Sequence, residues 1–219
     1  MFNLDFNTNP FIVIWELTRA CQLKCLHCRA EAQYHRHPLE LTFEEGKKLI
    51  DDIYEMNNPM LVFFTGGDPL MRPDVYEIAD YAIKKKGVRV SMTPSATPNV
   101  TKEAIEKKQK EIGLARWAFS LDGPTAERHD HFRGTNGSFD LTMNAIQYIH
   151  ELEIPIQINT VISRYNVDVL EEMAKTSGRI ELRALECIFF LVPTGRGKET
   201  DMISPVEHEK GIPVALSIK

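Results

Sequence analysis

Phe11-Ile12-Val13-Ile14-Trp15-Glu16-Leu17-Thr18-Arg19-Ala20-Cys21-Gln22-Leu23-Lys24-Cys25-Leu26-His27-Cys28 sets the frame for the whole chain. Its first six residues form a short, nearly continuous apolar run, the pattern of a strand buried in a parallel sheet. A loop carrying three cysteines within eight residues follows directly. A strand that delivers unusual residues at its C-terminal end suits an α/β fold, where that edge carries the ligand.

The same alternation recurs downstream. Thr42 and Glu45 make a capping box for a helix continuing through Leu49, Ile50, Ile53 and Met56. Further strands are expected at 60–64, 88–92, 115–120, 156–161 and 188–192. Helices are expected at 74–86, 101–112, about 138–152 with Ser138 as its cap, and 166–174. Gly178 is expected to break the chain before the last strand, leaving 176–187 irregular. The result is up to six strand–helix units of about 25–35 residues, as βα repeats require. An open doubly wound sheet and a partial (β/α)6 TIM-like barrel both meet that pattern. Five polar or Gly-rich strand ends favour the barrel, whose mouth gathers them: the cysteine loop, Gly66-Gly67-Asp68, Ser120-Leu121-Asp122-Gly123, Asn159-Thr160 and Gly195-Arg196-Gly197. The expected organisation is a lead-in at 1–10, a core domain at 11–200 and an irregular tail at 201–219.

Composition narrows the function classes. The chain has 219 residues, 43% hydrophobic and 26% charged, with a net charge of −5. No bulk positive charge favours nucleic acid or an acidic membrane surface. No apolar run approaches the roughly 20 residues of a membrane span. The start lacks the basic and apolar regions of a signal peptide, so the expected compartment is the cytoplasm. There a disulfide role for the four cysteines is disfavoured. Cys21-x-x-x-Cys25-x-x-Cys28 can hold three irons of a 4Fe–4S cluster and leave the fourth open to another ligand. A zinc site of three Cys plus His27 is the competing assignment from the residues alone. Cys187 is expected to be a free thiol. Lys24, Arg29 and Arg19 are placed to offset the loop's negative charge. The remaining histidines, His129 among them, are expected to be solvated or in loops.

Trp15 to Ala30 closely resembles the signature of the radical S-adenosylmethionine (SAM) superfamily, CxxxCxxC with an aromatic residue before the third cysteine, a place His27 fills. The resemblance covers nearly the whole chain and implies a partial (β/α)6 barrel. It implies a 4Fe–4S cluster on Cys21, Cys25 and Cys28 whose open iron chelates SAM. One electron from a donor such as flavodoxin or ferredoxin then cleaves SAM to methionine and a 5′-deoxyadenosyl radical, which abstracts a substrate hydrogen. By the same resemblance, Gly66, Gly67 and Asp68 stand at the family's GGE motif, whose backbone carbonyls hold the SAM ammonium. Ser120 and Asp122 stand on the segment that reaches SAM ribose and carboxylate, and Arg133 is a partner for the carboxylate. Asn159 and Val161 stand near ribose and adenine. The branch most resembled holds proteins of haem and haem d1 biosynthesis and SPASM-type peptide maturases, so the implied substrate is a tetrapyrrole or a peptide. Such proteins usually continue into a cysteine-rich extension. No cysteine follows Cys187, which implies a shortened member. A non-catalytic zinc module and an inactive cluster-binding fragment are the rival outcomes.

Overall fold

Six parallel strands, each hydrogen-bonded to the next in chain order, make one sheet. A computed structural model describes residues 10–56, 61–179 and 184–209 of the chain. The strands are β1 (Ile12–Thr18), β2 (Leu61–Gly66), β3 (Val90–Met92), β4 (Arg116–Ser120), β5 (Ile156–Ile162) and β6 (Ala184–Phe190). The helices are α1 (Phe43–Glu55), α2 (Val75–Asp80), α3 (Lys102–Ile112), α4 (Ala126–Arg133), α5 (Ser138–Glu151) and α6 (Leu170–Arg179). Strict sequential order decides between the two architectures. A doubly wound sheet reverses its strand order at a switch point. Right-handed crossovers that never reverse put every helix on one face, and the sheet curls into a half-barrel with β1 and β6 at its edges. The expected partial (β/α)6 TIM-like barrel is the fold.

The outer face of the sheet forms the core. Trp15, Val62, Phe64, Val90, Met92, Trp117, Phe119, Ile156 and Ile158 pack there against Ile50, Ile78, Ile105 and Ile146 of the helices. These residues alternate along each strand with the inward-facing set, as the pleat requires. α1 starts on the expected capping box, with Thr42 and Glu45 bonded reciprocally. A second cluster joins Ile162, Leu170 and Met173 to Ile203 beyond β6. No helix among the described residues is long and apolar enough to cross a membrane.

Several boundaries differ from expectation. α4 was not expected, because it has no apolar stripe and buries only His129 and Phe132. Thr125 caps its start and Gly134, at φ 59°, ends it. Ser138 does not cap α5. The cap carboxylate is Asp130, in α4, which accepts from the Gly137 and Phe139 N–H groups and from the Ser138 hydroxyl. The expected helix 74–86 is α2 plus a π-helical turn at Tyr81–Lys85. α6 runs through Gly178 to Arg179, since a glycine near a helix end costs only about 1 kcal/mol. β6 begins at Ala184 rather than Ile188, and its register with β5 holds from Ile156↔Ala184 to Ile162↔Phe190. Met60, residues 180–183, the lead-in except Pro10 and the tail from 210 lie outside the described residues.

Candidate active site

The cysteine loop leaves β1 through an irregularity. Pairing with β2 shifts register between Glu16 and Thr18, which turns the chain out of the sheet. Cys21 N–H then donates to the Gln33 carbonyl and Gln33 N–H to the Arg19 carbonyl, at 2.7 and 2.8 Å. These bonds close the loop at its base. Glu40 fixes the exit of the strand, accepting from the Thr18 hydroxyl at 2.6 Å and from Arg19 N–H at 3.2 Å. The β2 end seats against the same turn. Gly67 N–H donates to the Thr18 carbonyl and Asp68 N–H to the Ala20 carbonyl, both at 2.7 Å. A Cβ on Gly67 would sit 2.3 Å from the Ala20 oxygen, and one on Gly66, whose φ is +134°, 2.3 Å from the Thr18 oxygen. Only glycine lets the two backbones approach this closely.

Cys21, Cys25 and Cys28 line one cavity of ≈ 320 Å³, together with His27, Gly66, Gly67, Arg133, Val161 and Arg196. An adjoining cavity of ≈ 140 Å³ shares Gly66, Gly67, Ser95 and Arg133 and adds Ser120 and His129. Cys21 Sγ lies 3.4 Å from Ser95 Oγ. Burial pushes the Cys21 thiol upward, and the Ser95 and Leu23 hydrogen bonds oppose that only in part. Among the described residues, no three His, Cys, Asp or Glu side chains converge on one ion's position. A polynuclear cluster, in which each thiolate takes a different metal, does not require such convergence.

The charge beside the thiols comes from Arg133. Its Nη1 donates to Cys25 Sγ at 3.6 Å, and its Nη2 lies 2.7 Å from Asp122 Oδ2 as an ion pair. Arg133 Nε is buried without a hydrogen-bond partner. Burial alone would lower the guanidinium pKa, but Asp122 and Cys25 outweigh it and hold the charge firmly. Asp122 is fully buried, and its Oδ1 accepts from Val161 N–H at 2.8 Å. Of the expected flanking cations, Arg29 lines the thiol cavity and Arg19 does not. Carboxylates engage both, Glu31 for Arg19 and Glu16 for Arg29.

His27 stacks on Phe132, with ring centroids 4.2 Å apart and 12° between planes. Burial lowers its pKa to about 4, so the ring is neutral near pH 7, and its Nδ1 has no partner. His129 is likewise buried rather than solvated. Its Nδ1 accepts from Asp122 N–H at 3.2 Å. Asp68 is buried away from both cavities and accepts from Leu70 and Ser95 N–H groups, while burial raises its pKa to about 6. Asn159 lies on the inner face of β5 and accepts from Gln157 at 2.7 Å. Cys187 is half-buried beside it in the sheet register and lines neither cavity.

Arg196 stands in one of the five expected strand ends, Gly195-Arg196-Gly197, but no role for its side chain is legible in sequence. Its Nε donates to the Cys25 carbonyl at 2.8 Å, its Nη1 to the Ala32 carbonyl at 3.0 Å, and its backbone N–H to the Cys28 carbonyl at 3.0 Å. Gly195, at φ +61°, has no room for a Cβ against the Cys28 and Arg29 carbonyls. The loop after β6 thus clasps the loop after β1. The only trace in sequence is a cation between two glycines at a strand end.

The donor set fits an anionic, thiolate-ligated group. Three thiols face one cavity, and buried polar atoms without partners surround them: His27 Nδ1, Arg133 Nε and Arg196 Nη2. The comparisons agree with that chemistry. The model of the radical SAM superfamily matches residues 15–176. An AdoMet-dependent heme synthase of Nitratidesulfovibrio vulgaris is 42% identical over 201 residues, covering 91% of this chain and 53% of that protein. The mycofactocin maturase MftC of Mycobacterium tuberculosis is 36% identical over 196 residues, 87% of this chain and 47% of that protein. The chain thus spans about half the length of these relatives. Streptococcus suis SuiB, solved bound to S-adenosylmethionine, shares the fold with a TM-score of 0.79 at 14% identity, over 95% of this chain and 47% of that one.

Proposed function

The chain belongs to the radical SAM superfamily, and from that premise we propose that it is the core of an enzyme acting on a tetrapyrrole of the haem type. The family uses a 4Fe–4S cluster and SAM, which when bound supply a 5′-deoxyadenosyl radical for hydrogen abstraction. Cys21, Cys25 and Cys28 would hold the cluster, and one observation carries the assignment: all three open on one cavity beside the buried Arg133 guanidinium.

The chain's own residues do the positioning. Arg133 keeps a buried cation next to the thiolates and still has Nε to offer to the SAM carboxylate by a charge-assisted bond. Asp122 holds Arg133 in place and fixes the β5 backbone at Val161, so it acts behind the cavity wall rather than on it. Neutral His27, flat against Phe132, gives the cavity an aromatic wall. Gly66 and Gly67 would offer bare backbone to the SAM amino group, and Ser120 and Val161, which line the two adjoining cavities, would face its ribose and adenine. Asp68 and Asn159 would act through the elements they brace. Residues 11–200 form the functional core in this reading.

The tetrapyrrole is preferred to a peptide because the heme synthase relative has higher identity over a longer match than the peptide maturase. Flavodoxin or ferredoxin suits the electron donor. The free thiols of the cavity suit the reducing cytoplasm. The test is anaerobic iron–sulfide reconstitution followed by a dithionite-driven assay for 5′-deoxyadenosine. Wild type should take up iron and release the nucleoside, and Cys25→Ala should do neither. Iron without product would leave an inert cluster-binding core. Zinc retained in place of iron would overturn the enzyme assignment.

A further inference from the structure

The inward face of the sheet carries a polar ladder that starts below the cofactor site and ends at Asn159. Arg116 at the start of β4 points to the side away from the helices, since its neighbour Trp117 is in the outer core. Arg116 Nη1 donates to Gln157 Oε1 at 3.0 Å, and Gln157 Nε2 donates to Asn159 Oδ1 at 2.7 Å. The ladder climbs from the base of the barrel towards Val161, which lines the thiol cavity. One donor of Arg116 is thus used, and a guanidinium has five. Among the described residues no carboxylate pairs with Arg116, nor with Arg89, Arg164 or Arg196, and of these four Arg116 alone lies within a strand of the sheet.

Two further observations point to a ligand. Ser91 is the register partner of Arg116 on β3 and shares its face. Its hydroxyl is fully buried with no hydrogen-bond partner, which is costly unless something bonds it. The edge strands flank this stripe with bare hydrocarbon. On β1, Ile12 and Ile14 are 43% and 63% exposed, and on β6 Leu185 is 47% exposed, while Phe189, 49% exposed, lines the thiol cavity above them. Register places Leu185 beside Gln157 and Phe189 beside Val161, on the inner face. A polar stripe whose cation meets no carboxylate among the described residues, between two apolar walls, complements a flat apolar body with a carboxylate on its rim.

We propose that Arg116, with Ser91 beside it, anchors a carboxylate of the substrate inside the half-barrel, at the opposite end of the strands from the thiol cavity. A porphyrin with acidic side chains has that shape and charge, so the anchor deepens the tetrapyrrole reading and rests on it. A substrate held at its far rim presents its near rim to the mouth of the barrel, where hydrogen abstraction takes place.

The test is a binding titration of the full chain, iron-loaded and anaerobic, with free-base coproporphyrin III and its tetramethyl ester, followed by porphyrin fluorescence. Wild type should bind the acid more tightly than the ester. Arg116→Gln should weaken acid binding roughly tenfold to a hundredfold, the range for a lost bond to a charged group, and leave ester binding unchanged. Arg116→Lys should keep part of the preference for the acid. Acid binding by Arg116→Gln at wild-type strength, with native iron content, would overturn the anchor and leave the tetrapyrrole reading intact. No binding of either porphyrin by wild type would overturn both. If Arg116→Gln does not hold iron, Ser91→Ala decides instead. It should lose affinity severalfold for the acid alone, and unchanged binding of both forms would overturn the anchor.

Discussion

Arg133 and Asp122 are the residues on which the site depends most. Both are buried, and each is the other's main compensation. Removing one partner of a buried pair strands a charge, at a typical cost of about 3–5 kcal/mol. Arg133→Met should therefore lower the stability of the apo protein by about that amount, and the double variant Asp122→Asn/Arg133→Met should recover part of it. Urea denaturation of the four proteins of the cycle measures this. A full additive loss in the double variant would show that the pair is not coupled. His129 supplies a pH dependence. Burial lowers its pKa from 6.5 to about 4, so the folded state holds it neutral where the unfolded state binds a proton. The stability it contributes is complete above pH 6.5 and is lost as pH falls towards 4, by about 3 kcal/mol in all. Asp68, raised to about 6, works in the opposite direction over nearly the same range. The comparison of wild type with His129→Asn isolates the histidine. Asn keeps an acceptor for Asp122 N–H, and its thermal midpoint should fall less between pH 7 and pH 5.

At the scale of elements, α4 and α5 act as one device. Asp130 in α4 accepts two N–H groups and a hydroxyl at the start of α5, which anchors the turn of α4 whose His129 and Arg133 line the cavities. Asp130→Ala should cost about 1–2 kcal/mol, the upper range for a lost helix cap, measured by the shift of the urea midpoint. Asp130→Asn should lose less. Sequence patterning missed α4, and with it the cap that Asp130 provides for the expected α5, for a physical reason. α4 is polar on nearly every side, so no 3.6-residue stripe marks it, and its cap role is exerted on a helix several residues downstream. By contrast, the Thr42–Glu45 capping box and Gly113, at φ +77° after α3, are local devices. Local devices are legible because both partners lie within one turn of chain.

At the scale of the molecule, β1 and β6 are the outermost strands of the half-barrel, and Arg196 ties the loops that follow them. Three hydrogen bonds run from its loop to the cysteine loop across more than 160 residues of chain. Arg196→Gln should leave the sheet intact but loosen the cysteine loop. Hydrogen exchange should accelerate over 21–33 and not over α3, and iron should be lost to a chelator faster than from wild type. Unchanged exchange in that loop would show that the clasp does not restrain it.

The chain itself determined the alternation of strands and helices, the cysteine spacing and the gathering of glycines and polar residues at strand ends. Each of these rests on short-range patterns: apolar periodicity, turn chemistry, and thiols close enough to share one loop. Only the tertiary structure decided the sequential strand order that excludes a doubly wound sheet. It alone paired Arg133 with Asp122 and Cys25, turned Asp68 from the cavity into the fold and joined Arg196 to the cysteine loop. These depend on which face of a strand meets which neighbour, and on charges brought together from distant segments. A one-dimensional pattern carries a residue's type and its local period, and burial and pairing arise only when the sheet closes.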